Sequence, residues 1–147
     1  MSKNKALSKL DPTIKIYGDK SHRNKKPPSE DSEQMTIFNE LRVNYPDLAK
    51  LATHVLNEGK KSQAQARKDS LMGLCAGFSD IVIIGTPVFL CELKKEDMTK
   101  SKISDDQESF LLSSIESGAF ACVALGHKGF FEALKEWQKC IRTTRNG

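Results

Sequence analysis

Apolar residues recur at helical spacing in four segments, and each of these segments predicts an amphipathic helix. The four segments are residues 30–45, 62–75, 104–118 and 129–142. The first stops before Pro46, which cannot continue a helix interior. The third opens with Ser104 and Gln107, which fit a capping box, and stops at Gly118.

Shorter apolar or alternating runs between these helices predict strands. They are residues 13–17, 51–57, 79–85, 88–94 and 119–125. Only Thr86 and Pro87 separate the third run from the fourth, so these two runs predict a β-hairpin. Helices and strands that alternate in this order predict an α/β fold, with a mixed sheet and flanking helices.

Positive charge is concentrated at the N-terminus. Residues 1–30 contain eight Lys or Arg and three Asp or Glu, whereas residues 31–147 contain fifteen and sixteen. The first segment is also rich in Ser, Asn and Pro, so we place a domain boundary near Pro28. We expect a basic, flexible segment over 1–30 and one domain over 31–147. Such an arm either attracts phosphate backbones or only keeps the chain soluble.

Several classes of protein do not fit the sequence. No segment reaches the roughly 18 consecutive apolar residues of a membrane helix, and no apolar run follows the polar N-terminus as in a secretory signal. We therefore expect an intracellular protein. The cysteines lie in apolar runs without a CxxC pair or a neighbouring His, which favours reduced, buried thiols over a zinc site. They are Cys75, Cys91, Cys122 and Cys140.

Charged residues interrupt the two strands of the predicted hairpin. Strand alternation puts Glu92 and Lys94 on one face, and if Ile84 pairs with Val88, then Asp80 lies opposite Glu92. Two carboxylates about 5 Å apart repel by roughly 3 kcal/mol at an effective dielectric near 20. A shared proton, a cation such as Lys94 or a bound divalent metal would relieve this repulsion. Of these three, a bound metal accounts for the most, because a hard cation held by carboxylates both relieves their repulsion and polarises a phosphodiester.

Simpler interpretations remain open for each of these residues. A solvated hairpin face would also carry Asp80, Glu92 and Lys94. Asp80 stands at the start of its strand, where it also fits an ordinary turn-forming Asp. Glu33 borders the apolar stripe of the first helix, where it fits either a third carboxylate of the site or an acidic residue favoured by the helix dipole. Gln107 either only completes its capping box or also turns toward the sheet.

Five segments, in matching order and spacing, resemble the VRR-NUC domain, a branch of the PD-(D/E)XK nucleases. They are Glu33-Gln34, HVLNEGKKS (similar to His-x-x-Asn-Gly-Gly-Lys-Arg), GFSDIVI (similar to Gly-Val-Pro-Asp-Leu), CELKK (similar to Ile-Glu-Leu-Lys) and SDDQ (similar to Ser-x-x-Gln). The resemblance extends from Glu33 to Trp137. Two positions depart from the family pattern, because Ser79 replaces the usual Pro and Glu58 replaces a frequent Gly.

The resemblance implies a restriction-endonuclease-like sandwich and assigns roles to particular residues. The implied metal ligands are Glu33, Asp80, Glu92 and the backbone carbonyl of Leu93. Lys94 would be the catalytic lysine, and Gln107 would support the site. Lys60 and Lys61 form an exposed pair that either contacts DNA phosphates or is simply solvated.

The resemblance also implies an activity: hydrolysis of DNA with Mg²⁺ or Mn²⁺. Stand-alone members of viral and bacterial type resemble Holliday-junction resolvases, which implies a homodimer acting on branched DNA in the cytoplasm, or in the host cytoplasm if the chain is viral. A flap or nicking nuclease is the close alternative. A catalytically silent nucleic-acid-binding module of the same fold, or a plain interaction protein, would belong to a different functional class.

Overall fold

This computed structural model describes residues 3–56 and 61–146, and it describes side chains as far as residue 141. Seven strands and five α-helices lie within these residues. The strands are β1 (Asn4–Ala6), β2 (Ile16–Tyr17), β3 (Ala52–His54), β4 (Ile81–Ile83), β5 (Phe89–Lys94), β6 (Lys102–Ser104) and β7 (Phe120–Leu125). The helices are α1 (Glu30–Asn44), α2 (Pro46–Ala49), α3 (Gln63–Leu71), α4 (Asp105–Glu116) and α5 (Gly126–Asn146).

Five of the strands form one mixed sheet in the order β2-β7-β5-β4-β3. β2 and β5 run parallel to β7, whereas β4 is antiparallel to β5 and β3 is antiparallel to β4. The connection from β5 to β7 passes through α4, as the crossover between two parallel strands requires. β1 and β6 form a separate two-stranded antiparallel sheet. The predicted α/β class, a mixed sheet flanked by helices, is confirmed.

The hairpin of β4 and β5 has the register predicted from the sequence. Val82 lies opposite Leu90 and Ile81 opposite Cys91. Continued by one residue, the same register brings Asp80 across from Glu92. The short turn limits the possible registers. Because side chains alternate between the two faces of a strand, a shift by one residue would turn the apolar side chains of both strands away from the core.

The two faces of β5 enter two different cores, and all six of its residues are therefore buried. Phe89, Cys91 and Leu93 pack in the core that contains α1 and α5. Leu90 packs in a second core with α4. Alternation places Glu92 and Lys94 on the same face as Leu90.

The N-terminal segment, expected to be a separate flexible arm, packs onto the domain in the structure. β1 pairs with β6, and β2 is an edge strand of the main sheet. Leu7, Leu10 and Ile14 are all buried in the second core. Burial of one such side chain stabilises a fold by roughly 1.5–3 kcal/mol, which explains why this charged segment packs. Pro28 therefore does not separate two structural units.

Other differences from the predicted elements have local causes. α3 ends earlier than predicted because Gly73 adopts a φ of +96°, a conformation that ends helices. Pro46 begins the short helix α2, since a proline is tolerated in the first turn of a helix. Lys102 and Ile103 of β6 lie in a charged stretch for which the sequence pattern predicts neither helix nor strand, and the strand forms there because β1 pairs with it.

The cysteines divide into two pairs. Cys91 and Cys122 are buried neighbours on β5 and β7, as expected, whereas Cys75 and Cys140 are exposed, so the prediction of burial is wrong for them. Among the described residues, no helix combines the length and the apolar character required to cross a membrane.

Candidate active site

Four of the predicted site residues come together beside the end of β5. Asp80 directly precedes β4, Glu92 and Lys94 lie on β5, and Gln107 lies in the first turn of α4. Glu92 is 1% exposed and Lys94 is 6% exposed. Charged side chains with so little exposure are rare unless they are paired or bind an ion.

The two oxygens of Glu92 have different surroundings. Oε1 accepts a hydrogen bond of 2.7 Å from Nε2 of Gln107, and it lies 3.7 Å from Nζ of Lys94. Oε2 is buried and accepts no hydrogen bond from an amide, hydroxyl or ammonium group in the described part of the chain. A buried carboxylate oxygen without such a donor is costly, so Oε2 marks a place where either a cation or a proton shared with Asp80 would be stabilising.

Gln107 connects helix capping to the site, so both interpretations of this residue apply. Its Oε1 accepts a 2.9 Å hydrogen bond from the Ser104 amide, and Oγ of Ser104 accepts from the Gln107 amide, which completes the capping box. The same Oε1 lies 3.4 Å from Nζ of Lys94. Each end of this amide thus holds one of the two charged residues of β5.

Asp80 is positioned by the backbone around it. Oδ2 of Asp80 accepts a 2.9 Å hydrogen bond from the Leu93 amide, and the Asp80 carbonyl accepts one of 2.7 Å from the Val55 amide. Gly77 lies against the Asp106 backbone with a φ of +77°, and a Cβ at this position would collide with that backbone. The glycine therefore allows the chain before Asp80 to lie against the first turn of α4.

Burial, together with the negative charge of Asp80, raises the pKa of two carboxyl groups of the cluster. Burial raises the pKa of Glu92 well above its usual value. The charge of Asp80 and a side-chain hydrogen bond with Asp80 add to this effect, while Lys94 opposes it. Burial also raises the pKa of Glu30, where Lys94 again acts in the opposite direction and Asp80 adds to the increase. Glu30 thus belongs to the electrostatic environment of the site. Sequence analysis missed this because an acidic residue at the start of a helix is common.

Glu33, which the family resemblance assigns as a metal ligand, contacts His127 in the structure. Its carboxylate is 3% exposed, and Oε2 accepts a hydrogen bond from the His127 amide and lies 2.6 Å from Nδ1 of the same residue. Glu33 therefore joins α1 to the first turn of α5. Within the described residues, no three His, Cys, Asp or Glu side chains form a group that could hold a metal ion.

The structure describes one of the two predicted DNA-binding lysines. Lys60 is not among the described residues. Lys61 forms a 2.6 Å ion pair with Asp69 of α3. An exposed pair of this kind contributes little to stability, so it does not prevent Lys61 from exchanging Asp69 for a phosphate.

We expect the Glu33→Gln substitution to lower the free energy of unfolding by about 1–3 kcal/mol, because it removes the charge from the hydrogen bonds to His127. Urea denaturation measures this loss. The substitution Asp31→Asn, on an exposed residue of the same helical turn, serves as the control. In a His127→Ala background the effect of Glu33→Gln should shrink, and an undiminished effect would show that the contact with the imidazole contributes nothing.

Comparisons with known proteins show the fold. No protein-family model matches the chain, and no curated protein matches it. A solved structure described as "VRR_NUC domain protein" superposes on the chain with a TM-score of 0.65 and 22% sequence identity. The match covers 78% of this chain and 91% of that chain. This structural similarity confirms the expected VRR-NUC-like fold.

Proposed function

We propose that this chain is a divalent-metal-dependent endonuclease that hydrolyses phosphodiester bonds in branched DNA. The observation that carries the proposal is the pair Asp80 and Glu92, with Lys94 beside it and one buried Glu92 oxygen that no amide, hydroxyl or ammonium group of the described residues contacts. Structural stability alone gives no reason to bury charges in this way, since apolar residues of similar size would serve as well.

The residues of the cluster suit Mg²⁺ or Mn²⁺. Mg²⁺ is commonly held by one or two carboxylates and completes its shell with water and substrate phosphates. Asp80 and Glu92 would hold the ion, with the Leu93 carbonyl as a further oxygen by analogy with the family. A third protein carboxylate is therefore not required, and Glu33, which the resemblance also assigns as a ligand, binds His127 instead.

A bound divalent cation supplies Lewis acidity toward the phosphodiester and a nucleophilic water at neutral pH. The chain's own residues supply orientation and charge. The Lys94 ammonium, held between Glu92 and Gln107, is positioned to orient the attacking water or to stabilise the negative charge that develops on phosphorus. Gln107 fixes Oε1 of Glu92, so that Oε2 remains for coordination. By analogy with the superfamily, the products carry 5′-phosphate and 3′-hydroxyl ends.

The substrate and the assembly follow from the family resemblance and from symmetry. A four-way junction requires two symmetric nicks and one chain offers one site, so a two-fold homodimer would supply both. Lys60, Lys61 and the basic N-terminal segment would add affinity for phosphates that weakens with salt. Such an enzyme would act in the cytoplasm, or in that of the host if the chain is viral.

Cleavage of labelled four-way junctions, 5′ flaps, nicked duplexes and linear duplexes by the purified wild-type chain tests the proposal. With Mg²⁺ or Mn²⁺ we expect paired nicks near the junction centre, and no nicks when EDTA replaces the metal. Faster cleavage of flaps would instead favour the flap nuclease. Tight junction binding without any nicking would contradict an enzymatic role and favour the silent binding module.

A further inference from the structure

A groove of about 620 Å³ lies between α1 and the edge strand β3. Its polar lining includes Gln34, Asn39 and Arg42 from α1 and His54 from β3, and Phe38 contributes an aromatic ring. Within the described residues, the side chains of these four polar residues form no hydrogen bond or ion pair. Their donors and acceptors are therefore available to a ligand.

The charge of the groove favours an anionic occupant. No Asp or Glu is among the described residues that line it, and Arg42 provides a guanidinium group. The cavity beside the Glu33–His127 contact differs in this respect, because Asp19, Glu96 and Glu132 line it. Guanidinium binds phosphate through two parallel hydrogen bonds, so Arg42 suits a phosphodiester.

Both walls of the groove extend toward the end of the sheet where Asp80 and Glu30 lie. His54 pairs with Ile81, and the next residue, Val55, donates its amide to the Asp80 carbonyl. On the other wall, Gln34 lies about one helical turn after Glu30, whose pKa responds to Lys94 and Asp80. The groove lies on the α1 face of the sheet, whereas Glu92 and Lys94 lie on the α4 face. A chain bound in the groove would therefore reach the cluster by passing around the end of the sheet where Asp80 and Glu30 lie.

The dimensions and the mixed lining favour a single strand. The volume is that of a pocket for a small organic ligand, which suits a nucleotide or two but not a duplex. Single-stranded DNA is commonly bound by cations along its backbone and by rings that stack on its bases. Phe38 and His54 offer such rings, and Gln34 and Asn39 offer amides that can pair with base edges.

We propose that this groove binds a short single-stranded DNA segment next to the phosphate that is cleaved, an inference that rests on the proposed nuclease function. Unpaired bases occur where a flap leaves a duplex or where the central base pairs of a junction open. The groove would therefore make the enzyme prefer branched substrates over linear duplexes, because only the former can fill it.

Fluorescence anisotropy with a labelled oligothymidine and a matched labelled duplex, in EDTA to prevent cleavage, tests this proposal. For Arg42→Ala combined with His54→Ala, we expect affinity for oligothymidine to fall at least about tenfold, while affinity for the duplex changes less than about twofold. Arg67→Ala, on exposed α3, is the matched control for the loss of one arginine and should leave oligothymidine binding unchanged. Arg42→Lys should retain part of the affinity.

Three results would overturn the proposal: unchanged oligothymidine binding in the double variant, an equal loss with Arg67→Ala, or an equal loss for the duplex. Urea denaturation of the double variant checks the fold, which we expect to be intact because Arg42 and His54 are exposed. Junction cleavage by the wild-type chain is measured separately. If the wild-type chain fails to cleave but the double variant selectively loses oligothymidine binding, the proposed nuclease activity is refuted. The proposal that the groove binds single-stranded DNA is then still supported.

Discussion

Replacing Asp80 by Asn is expected to lower the rate of DNA cleavage by a factor on the order of a thousand or more while leaving DNA binding nearly unchanged. An amide of the same shape retains an oxygen that can accept the hydrogen bond from the Leu93 amide, so the local fold should persist. The substitution removes one of the two negative charges that would hold the metal. Single-turnover cleavage and anisotropy on the same junction measure the two effects.

Asp47→Asn is the matched control for Asp80→Asn, because Asp47 is an exposed acidic residue in the first turn of α2. We expect this control to cleave at the wild-type rate. Full activity of Asp80→Asn would refute the assignment of the site. A loss of junction binding parallel to the loss of cleavage would show that Asp80 acts on the structure or on DNA affinity rather than on the chemical step.

Replacing Lys94 by Met should affect both activity and stability. Loss of the ammonium group that stabilises developing charge should slow cleavage by about a hundredfold to a thousandfold. The substitution also leaves Asp80 and Glu92 without their buried cation, and breaking a buried pair in this way destabilises by about 3–5 kcal/mol. Protonation of Glu92 limits this cost, because burial and Asp80 already raise its pKa and Lys94 no longer lowers it.

The sign of the pH dependence follows from that raised pKa. Between the ordinary pKa of a glutamate and the raised pKa of Glu92 in the fold, the folded state binds more protons than the unfolded state. The metal-free stability of Lys94→Met should therefore fall as pH rises through the folded pKa. Adding Glu92→Gln should restore stability and remove this pH dependence without restoring cleavage. A pH-independent loss of stability, shared by the double variant, would contradict the account.

The register of the hairpin could be predicted from the sequence because two local constraints agree. Thr86 and Pro87 leave a short turn, and an error of one residue would expose the apolar face of each strand. The position of Asp80 opposite Glu92 follows from these facts alone. Gln107 could be predicted as a cap, but its contact with Glu92 depends on how closely Gly77 lies to α4, which no local pattern encodes.

The N-terminal segment shows the limit of composition as a guide. Its charges predicted a flexible arm. Three apolar side chains scattered among these charges are nevertheless buried and attach the segment to the domain; they are Leu7, Leu10 and Ile14. Strands of two or three residues are too short to display a period. Their partners, β6 and β7, lie about a hundred residues away in the sequence, and pairing over that distance depends on the whole fold.

The choice between Glu30 and Glu33 also required the structure. Three residues along a helix rotate the side chain by roughly 300°, so the two carboxylates point about 60° apart. The helix dipole favours both of them equally in the first turn. Only the packing of α1 against α5 directs Glu33 to His127 and leaves Glu30 near Lys94 and Asp80.

The most direct measurement of the central claim is a crystal structure of the wild-type protein soaked with manganese, with the anomalous signal used to locate the ion. We expect a peak about 2.0–2.3 Å from a carboxylate oxygen of Asp80 and from Oε2 of Glu92. The peak should vanish in crystals of Asp80→Asn. A peak only at Glu33 and His127, or no density between Asp80 and Glu92 at saturating manganese, would contradict the central claim.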